Sequence, residues 1–217
     1  CLAVYGSAAG DDLVPGHSDV SLLIVLREVG FADLRLIGET LRRHATPDLA
    51  VATPLVVKPA CLRDALDSYP IELADLRDRH RVLVGEDLLS RIAVSPERLR
   101  EQAEREARGK LLKLRALVIH RPPDAETQHA LASLVPTLEV IERALLRAAG
   151  EPAPARGAAL FEDVARRQGT PLPALGRLAK LRAGGGAWPA GRDLDDLLEA
   201  ILREVETLVG WIDGQTR

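Results

Sequence analysis

The chain has 217 residues, 47% of them hydrophobic and only 3% aromatic, with a formal charge of −3 and a pI near 6.0. That length holds one large or two modest domains with a proper core, and the charge carries no signature of bulk nucleic-acid binding. Cys1 and Cys61 lack metal-ligand spacing and imply no disulfide framework, and no apolar run is long enough to span a membrane, so the sequence points to the cytoplasm. Because the chain starts at Cys1, almost directly in an apolar run, and contains no methionine, something is expected to be missing from its front.

Taken in chain order, Leu2 to Tyr5 reads as a buried strand, followed by a tight turn at Gly6-Ser7 whose N–H groups and hydroxyl suit a phosphate. Asp11 to Ser18, with Pro15, Gly16 and Ser18, reads as a loop, and Asp19 to Leu26 as a second strand. Phe31 to His44 has helical spacing. Leu49 to Val57, Ile71 to Leu76 and Arg81 to Val84 are short apolar runs separated by turn signals, which predicts a small mixed α/β sheet. Gly85-Glu86-Asp87-Leu88-Leu89 is expected to end the last strand and open a short helix.

The texture changes near residue 95. Ser95 followed by Pro96 is a good N-cap and first-turn pair for a helix over Pro96 to His120, stopped by Pro122-Pro123. Its buried stripe is predicted at Leu99, Ala103, Ala107, Leu111, Leu114 and Val118. Further helices are expected over Ala125 to Ala149, with Pro136 kinking it, Gly157 to Gln168, Pro171 to Arg182, and Leu194 to Ile212, the most plainly amphipathic. The chain is therefore α+β, with a small mixed-sheet domain over residues 1–92 and an all-α bundle of about five helices over 95–217.

The segment from Tyr5 to Leu26 carries the chemistry: an apolar strand, Gly-Ser, a loop, then Ser-Asp-x-polar opening another apolar strand. With period two, Asp19 and Ser21 share a face. Two carboxylates on such a face, beside a Gly-Ser turn, would hold the divalent cations that clamp a triphosphate and activate an attacking hydroxyl. Ser21 stands where the second would be, keeping an oxygen ligand and losing a charge.

This pattern resembles the nucleotidyltransferase superfamily of DNA polymerase beta, in which GS is followed by D-x-D or D-x-E. It is most similar to the small bacterial nucleotidyltransferases, related in plan to the aminoglycoside nucleotidyltransferases, whose catalytic domain precedes a helical bundle. The resemblance implies that Gly6 and Ser7, with Ser21, contact the phosphates of an NTP and that Asp19 binds Mg²⁺, and it implies a helix ahead of the first strand. It also implies a third carboxylate on a neighbouring strand. Leu49 to Val57 contains no acid, which leaves Asp48 just before it or Glu72, the latter read as a buried strand residue either catalytic or paired with Arg77, Arg79 or Arg81.

A lysine from the helical domain reaches the triphosphate in enzymes of this plan. Among Arg105, Arg108, Lys110, Lys113 and Arg115, Lys110 is the candidate, because Gly109 beside it costs helix stability. The alternative is a solvated face balanced by Glu101, Glu104 and Glu106. Arg115 and His120 have the R-x₄-H spacing of a ribonuclease motif found in helical partners of minimal nucleotidyltransferases, and His17 lies in the loop before Asp19.

Three functions follow as expectations. One is transfer of a nucleoside monophosphate from an NTP to a hydroxyl on a small molecule or protein. Another is nucleotide binding alone, since D-x-S lacks a charge. The third is an inactive regulatory or antitoxin-like interaction module, or a homodimer.

Overall fold

A computed structural model describes residues 1–9, 19–44, 51–151 and 157–216. The chain is α+β, with a four-stranded mixed sheet in its first part and helices throughout its second. It divides into two units, Cys1–Val94 and Ser95–Arg217. No helix among the described residues is long and apolar enough to cross a membrane.

In the first unit, β1 (Leu2–Tyr5) pairs antiparallel with both β2 (Ser21–Val25) and β4 (His80–Val84), while β3 (Leu55–Val57) runs parallel to β2, giving the order β3-β2-β1-β4. The strands are rich in Val, Leu and Ile, side chains that fit a pleated, half-buried surface. Ala3 and Leu23 are opposed across β1 and β2, and Val25 follows Leu23 on the same face. That face packs against Leu62 of α2 (Pro59–Asp64), Leu73 and Leu76 of α3 (Pro70–Asp78), and Leu89. Burial of each such Leu contributes about 1.5–3 kcal/mol. A short 3₁₀ turn, Ala65–Asp67, joins α2 towards α3.

Several sequence expectations change here. Ile71 to Leu76 is helical, within α3: its buried residues pair at i,i+3 as 71/74 and 73/76, and Pro70 at the first turn with Glu, Leu, Ala and Arg inside favours a helix. Its buried side is Pro70, Ile71, Leu73, Ala74 and Leu76. Glu86 to Leu89 does not form a helix; instead Asp87 accepts the N–H groups of Leu89 and Ser90, each at 3.0 Å, in a side-chain-closed turn. The expected strand Leu49 to Val57 is reduced to Leu55–Val57, with Val51 bridged singly to Val20, and residues 45–50 lie outside the described ones.

Helix α1 (Phe31–His44) opens with the Asp33 carboxylate accepting the Gly30 N–H at 2.9 Å. None of its residues is buried, and its apolar Phe31, Leu34 and Leu36 remain exposed.

The second unit contains α4 (Pro96–His120), α5 (Asp124–Ala148), α6 (Ala158–Gln168), α7 (Pro173–Arg182) and α8 (Arg192–Thr216). Ser95 caps α4 by accepting the Arg98 N–H at 3.2 Å. At the other end Arg121 adopts the left-handed conformation, φ 36°, closing the helix by donating its N–H to Leu117. The Arg121 guanidinium then reaches Asp124, Asp195 and the hydroxyl of the buried Thr127, tying the α4–α5 turn to the start of α8.

Leu99, Ala103, Ala107, Leu111 and Leu114 are buried on α4 as their spacing predicts, but Val118 is exposed, since the stripe turns outward in the last turn. Helix α5 runs through Pro136, an exposed position on a helix that buries Val135 and Leu138. Leu194, Leu197, Leu198, Ile201, Val205, Leu208, Val209 and Ile212 form the buried stripe of α8. Glu204 of α8 reaches α7, where its two carboxylate oxygens accept the N–H groups of Ala174 and Leu175, each at 2.8 Å.

Candidate functional site

The register of β1 on β2 builds the candidate site. Tyr5, the last residue of β1, faces Ser21, the first of β2. The Gly6–Ala9 3₁₀ turn that leaves β1 and the Asp19–Ser21 segment that enters β2 therefore lie at one end of the sheet. Gly6 has φ 72°, a left-handed conformation that a side chain disfavours, and a Cβ placed there meets nothing within 4 Å. Its requirement for glycine is thus backbone geometry and not crowding.

The Gly6 N–H donates to the Arg79 carbonyl at 3.0 Å, so this amide fastens β1 to the end of α3 instead of pointing at a phosphate. Asp19 is exposed, two positions before Ser21 along the chain, and Val20 between them accepts the Ala52 N–H at 3.0 Å. Ser21 is half-buried at the end of the face that carries Leu23 and Val25. The sheet thus brings the Gly6–Ser7 backbone, Asp19 and Ser21 to one place.

It does not bring Glu72 there as a strand residue. Glu72 is an exposed residue in the first turn of α3, its neighbours Ile71 and Leu73 taking the buried side. Asp48 and His17 lie outside the described residues. Lys110 belongs to the second unit, where it faces Glu106 at 3.9 Å with a side chain only 14% exposed, while a Cβ on Gly109 would meet nothing within 4 Å. Two of the neighbouring basic residues are engaged as well: Arg108 with Glu104 (3.0 Å) and Asp213 (2.6 Å), Arg115 with Glu206 (2.9 Å). His120 lines a small cavity of about 320 Å³ together with Lys113 and Ser133.

One pair beside the site gave no sequence signal. His80 opposes Tyr5 from the other side, so Ser21, Tyr5 and His80 form a row across β2, β1 and β4. Its Nδ1 lies 2.9 Å from the Arg77 carbonyl and its Nε2 3.0 Å from Asp87 Oδ1. The Ser90 N–H, assisted by His80, holds the Asp87 carboxyl below its ordinary value. Both ring nitrogens are thereby occupied, and the pair fixes the end of α3 against the 86–91 turn. Its spacing in sequence resembles nothing catalytic, and only the fold closes it.

Among the described residues no three His, Cys, Asp or Glu side chains gather to hold a metal. Asp19 offers one carboxylate and Ser21 one hydroxyl. Because Mg²⁺ is commonly bound through one or two carboxylates plus substrate phosphates, this donor set fits a cation arriving with a triphosphate and not one held by protein alone.

No family model matches this chain, and no curated protein does.

Proposed function

We propose that the first unit is a nucleotidyltransferase-like module of the cytoplasm that takes an NTP together with Mg²⁺. The observation that carries this reading is the Tyr5–Ser21 pairing, which sets the Gly6–Ser7 turn beside Asp19 and Ser21 at one sheet end. Asp19 would hold the cation through its carboxylate, Ser21 would add a hydroxyl contact, and the backbone around Ser7 would receive phosphate oxygens. When bound, Mg²⁺ supplies charge neutralisation on the triphosphate.

Phosphoryl-group transfer depends mainly on such neutralisation and on positioning. With one carboxylate replaced by Ser21 and Glu72 on a helix instead of a neighbouring strand, the site favours holding a nucleotide over passing its nucleoside monophosphate to a small-molecule or protein hydroxyl. Incubation with each NTP and Mg²⁺, read as pyrophosphate release with and without candidate acceptors, tests this. Release above the level of an Asp19→Ala variant would mean an active transferase and would contradict the binding-only reading.

A second reading, an inactive regulatory or antitoxin-like interaction module, is favoured by α1. No residue of that helix is buried and Phe31 is 78% exposed. Light scattering of the wild type against Phe31→Ser separates self-association from nucleotide binding; a dimer that dissociates in the variant supports it.

A further inference from the structure

A cleft in the second unit owes nothing to the nucleotide reading. Helices α6 and α7, with the residues that follow each, line this open cleft of about 900 Å³, within the size range of small-molecule sites. Its interior is apolar: the buried Phe161, Leu172 and Leu181 line it. Its rim is basic. Arg166, Arg177 and Lys180 stand around it against the single acid Glu162, in a chain whose formal charge is −3.

The two helices contribute different things. Pro173, Gly176, Arg177 and Lys180 recur at the spacing of one helix face, so a single side of α7 looks into the cleft. Arg166 on α6 is already paired with Asp163. Arg177 and Lys180, about one turn apart, have no ion-pair partner among the described residues.

Gly176 is the informative residue. Glycine inside a helix destabilises it relative to alanine, and here packing does not require it, because a Cβ at Gly176 meets nothing within 4 Å. Its absent side chain leaves the α7 wall of the cleft open. A leucine there would project into the space that a ligand needs.

We propose that this cleft binds a small amphipathic organic acid, with its apolar body against Phe161, Leu172 and Leu181 and its carboxylate between Arg177 and Lys180. Two cations with no ion-pair partner among the described residues, set over an apolar interior, complement an anion with a hydrocarbon or aryl body. They disfavour an amine of the same shape, because a like charge near the rim is repelled and its desolvation is not repaid.

The test is calorimetric titration of the full chain with decanoate and with decylammonium, both below micelle-forming concentration. The expected result is one saturable site for decanoate, with decylammonium at least about tenfold weaker. Gly176→Leu should keep the helical circular dichroism and melting temperature while losing decanoate binding by about tenfold or more. As a second variant away from the packed core, the double change Arg177→Glu with Lys180→Glu should reverse the preference toward decylammonium. No saturable decanoate binding, binding unchanged in folded Gly176→Leu, or a preference unmoved by the charge reversal would each overturn the proposal.

Discussion

Tyr5 and Ser21 face one another across β1 and β2, and this one register places the Gly6 turn and Asp19 at the same end of the sheet. A slip by one residue would send Ser21 and Asp19 to the opposite face. The pairing is supported from both sides, since Cys1 and Val25 exchange backbone hydrogen bonds at 3.0 and 2.8 Å at the far end of the same ladder.

Gly6→Ala should destabilise the first unit by about 1–2 kcal/mol, the cost of forcing an ordinary side chain into the left-handed region. Because a Cβ there meets nothing within 4 Å, Gly6→Asn should lose less than Gly6→Ala. Urea unfolding of the three proteins checks the order.

Ser21→Asp restores a second carboxylate on the face that Ser21 shares with Asp19. Mg²⁺-dependent nucleotide binding should tighten by about tenfold, equivalent to about 1.4 kcal/mol, with little change when metal is withheld. An equal gain without Mg²⁺ would show that the new group does not act through a cation.

Glu142 is fully buried on α5, with neither carboxylate oxygen hydrogen-bonded among the described residues, and burial, reinforced by Glu139 and Glu204, pushes its carboxyl well above the ordinary 4.5. Between 4.5 and the raised folded value, the native state holds a proton that the unfolded chain has released. Stability is therefore complete below that window and falls as pH rises through it, by up to about 1.4 kcal/mol per pH unit. Glu204, pushed up by burial against the pull of the Ala174 and Leu175 N–H groups, adds a slope of the same sign. Glu142→Leu should remove much of this slope and raise stability at pH 8 by about 1–3 kcal/mol, measured by urea unfolding at pH 5 and pH 8.

Glu204→Ala leaves two N–H groups at the start of α7 without their acceptor. A loss of about 1–3 kcal/mol is expected, with Glu204→Gln losing less because one amide oxygen can still accept. Hydrogen exchange at Ala174 and Leu175 should quicken in both variants, and more in Glu204→Ala.

What the sequence made legible was local and periodic. Helix α4 begins at the Ser95-Pro96 pair and ends before Pro122-Pro123, and α8 buries the stripe that its spacing predicts. Ile71 to Leu76 reads as a strand because a short apolar run between turn signals is common to strands and buried helix segments, and its helical form moves Glu72 from a sheet face to an exposed helix turn. The strands beside Gly6–Ser7 and Asp19–Ser21 are legible as short apolar runs, whereas their antiparallel pairing, which brings the two segments together, comes from the fold. The Gly6 bond to Arg79, the His80–Asp87 contact and the Glu204 cap on α7 join residues from separate elements. Such closures depend on tertiary placement, and nothing in local composition marks them. The cleft beside Gly176 is of the same kind: a glycine in a helix reads as a propensity cost until the empty space beside it is seen.

Calorimetric titration of the chain with ATP, CTP, GTP and UTP, each with and without Mg²⁺ and alongside Asp19→Ala, tests the central claim most directly. The account predicts saturable binding of at least one nucleotide that requires Mg²⁺ and disappears in Asp19→Ala, with no heat from Mg²⁺ alone. Absence of binding for all four, or binding that Asp19→Ala leaves intact, would contradict it.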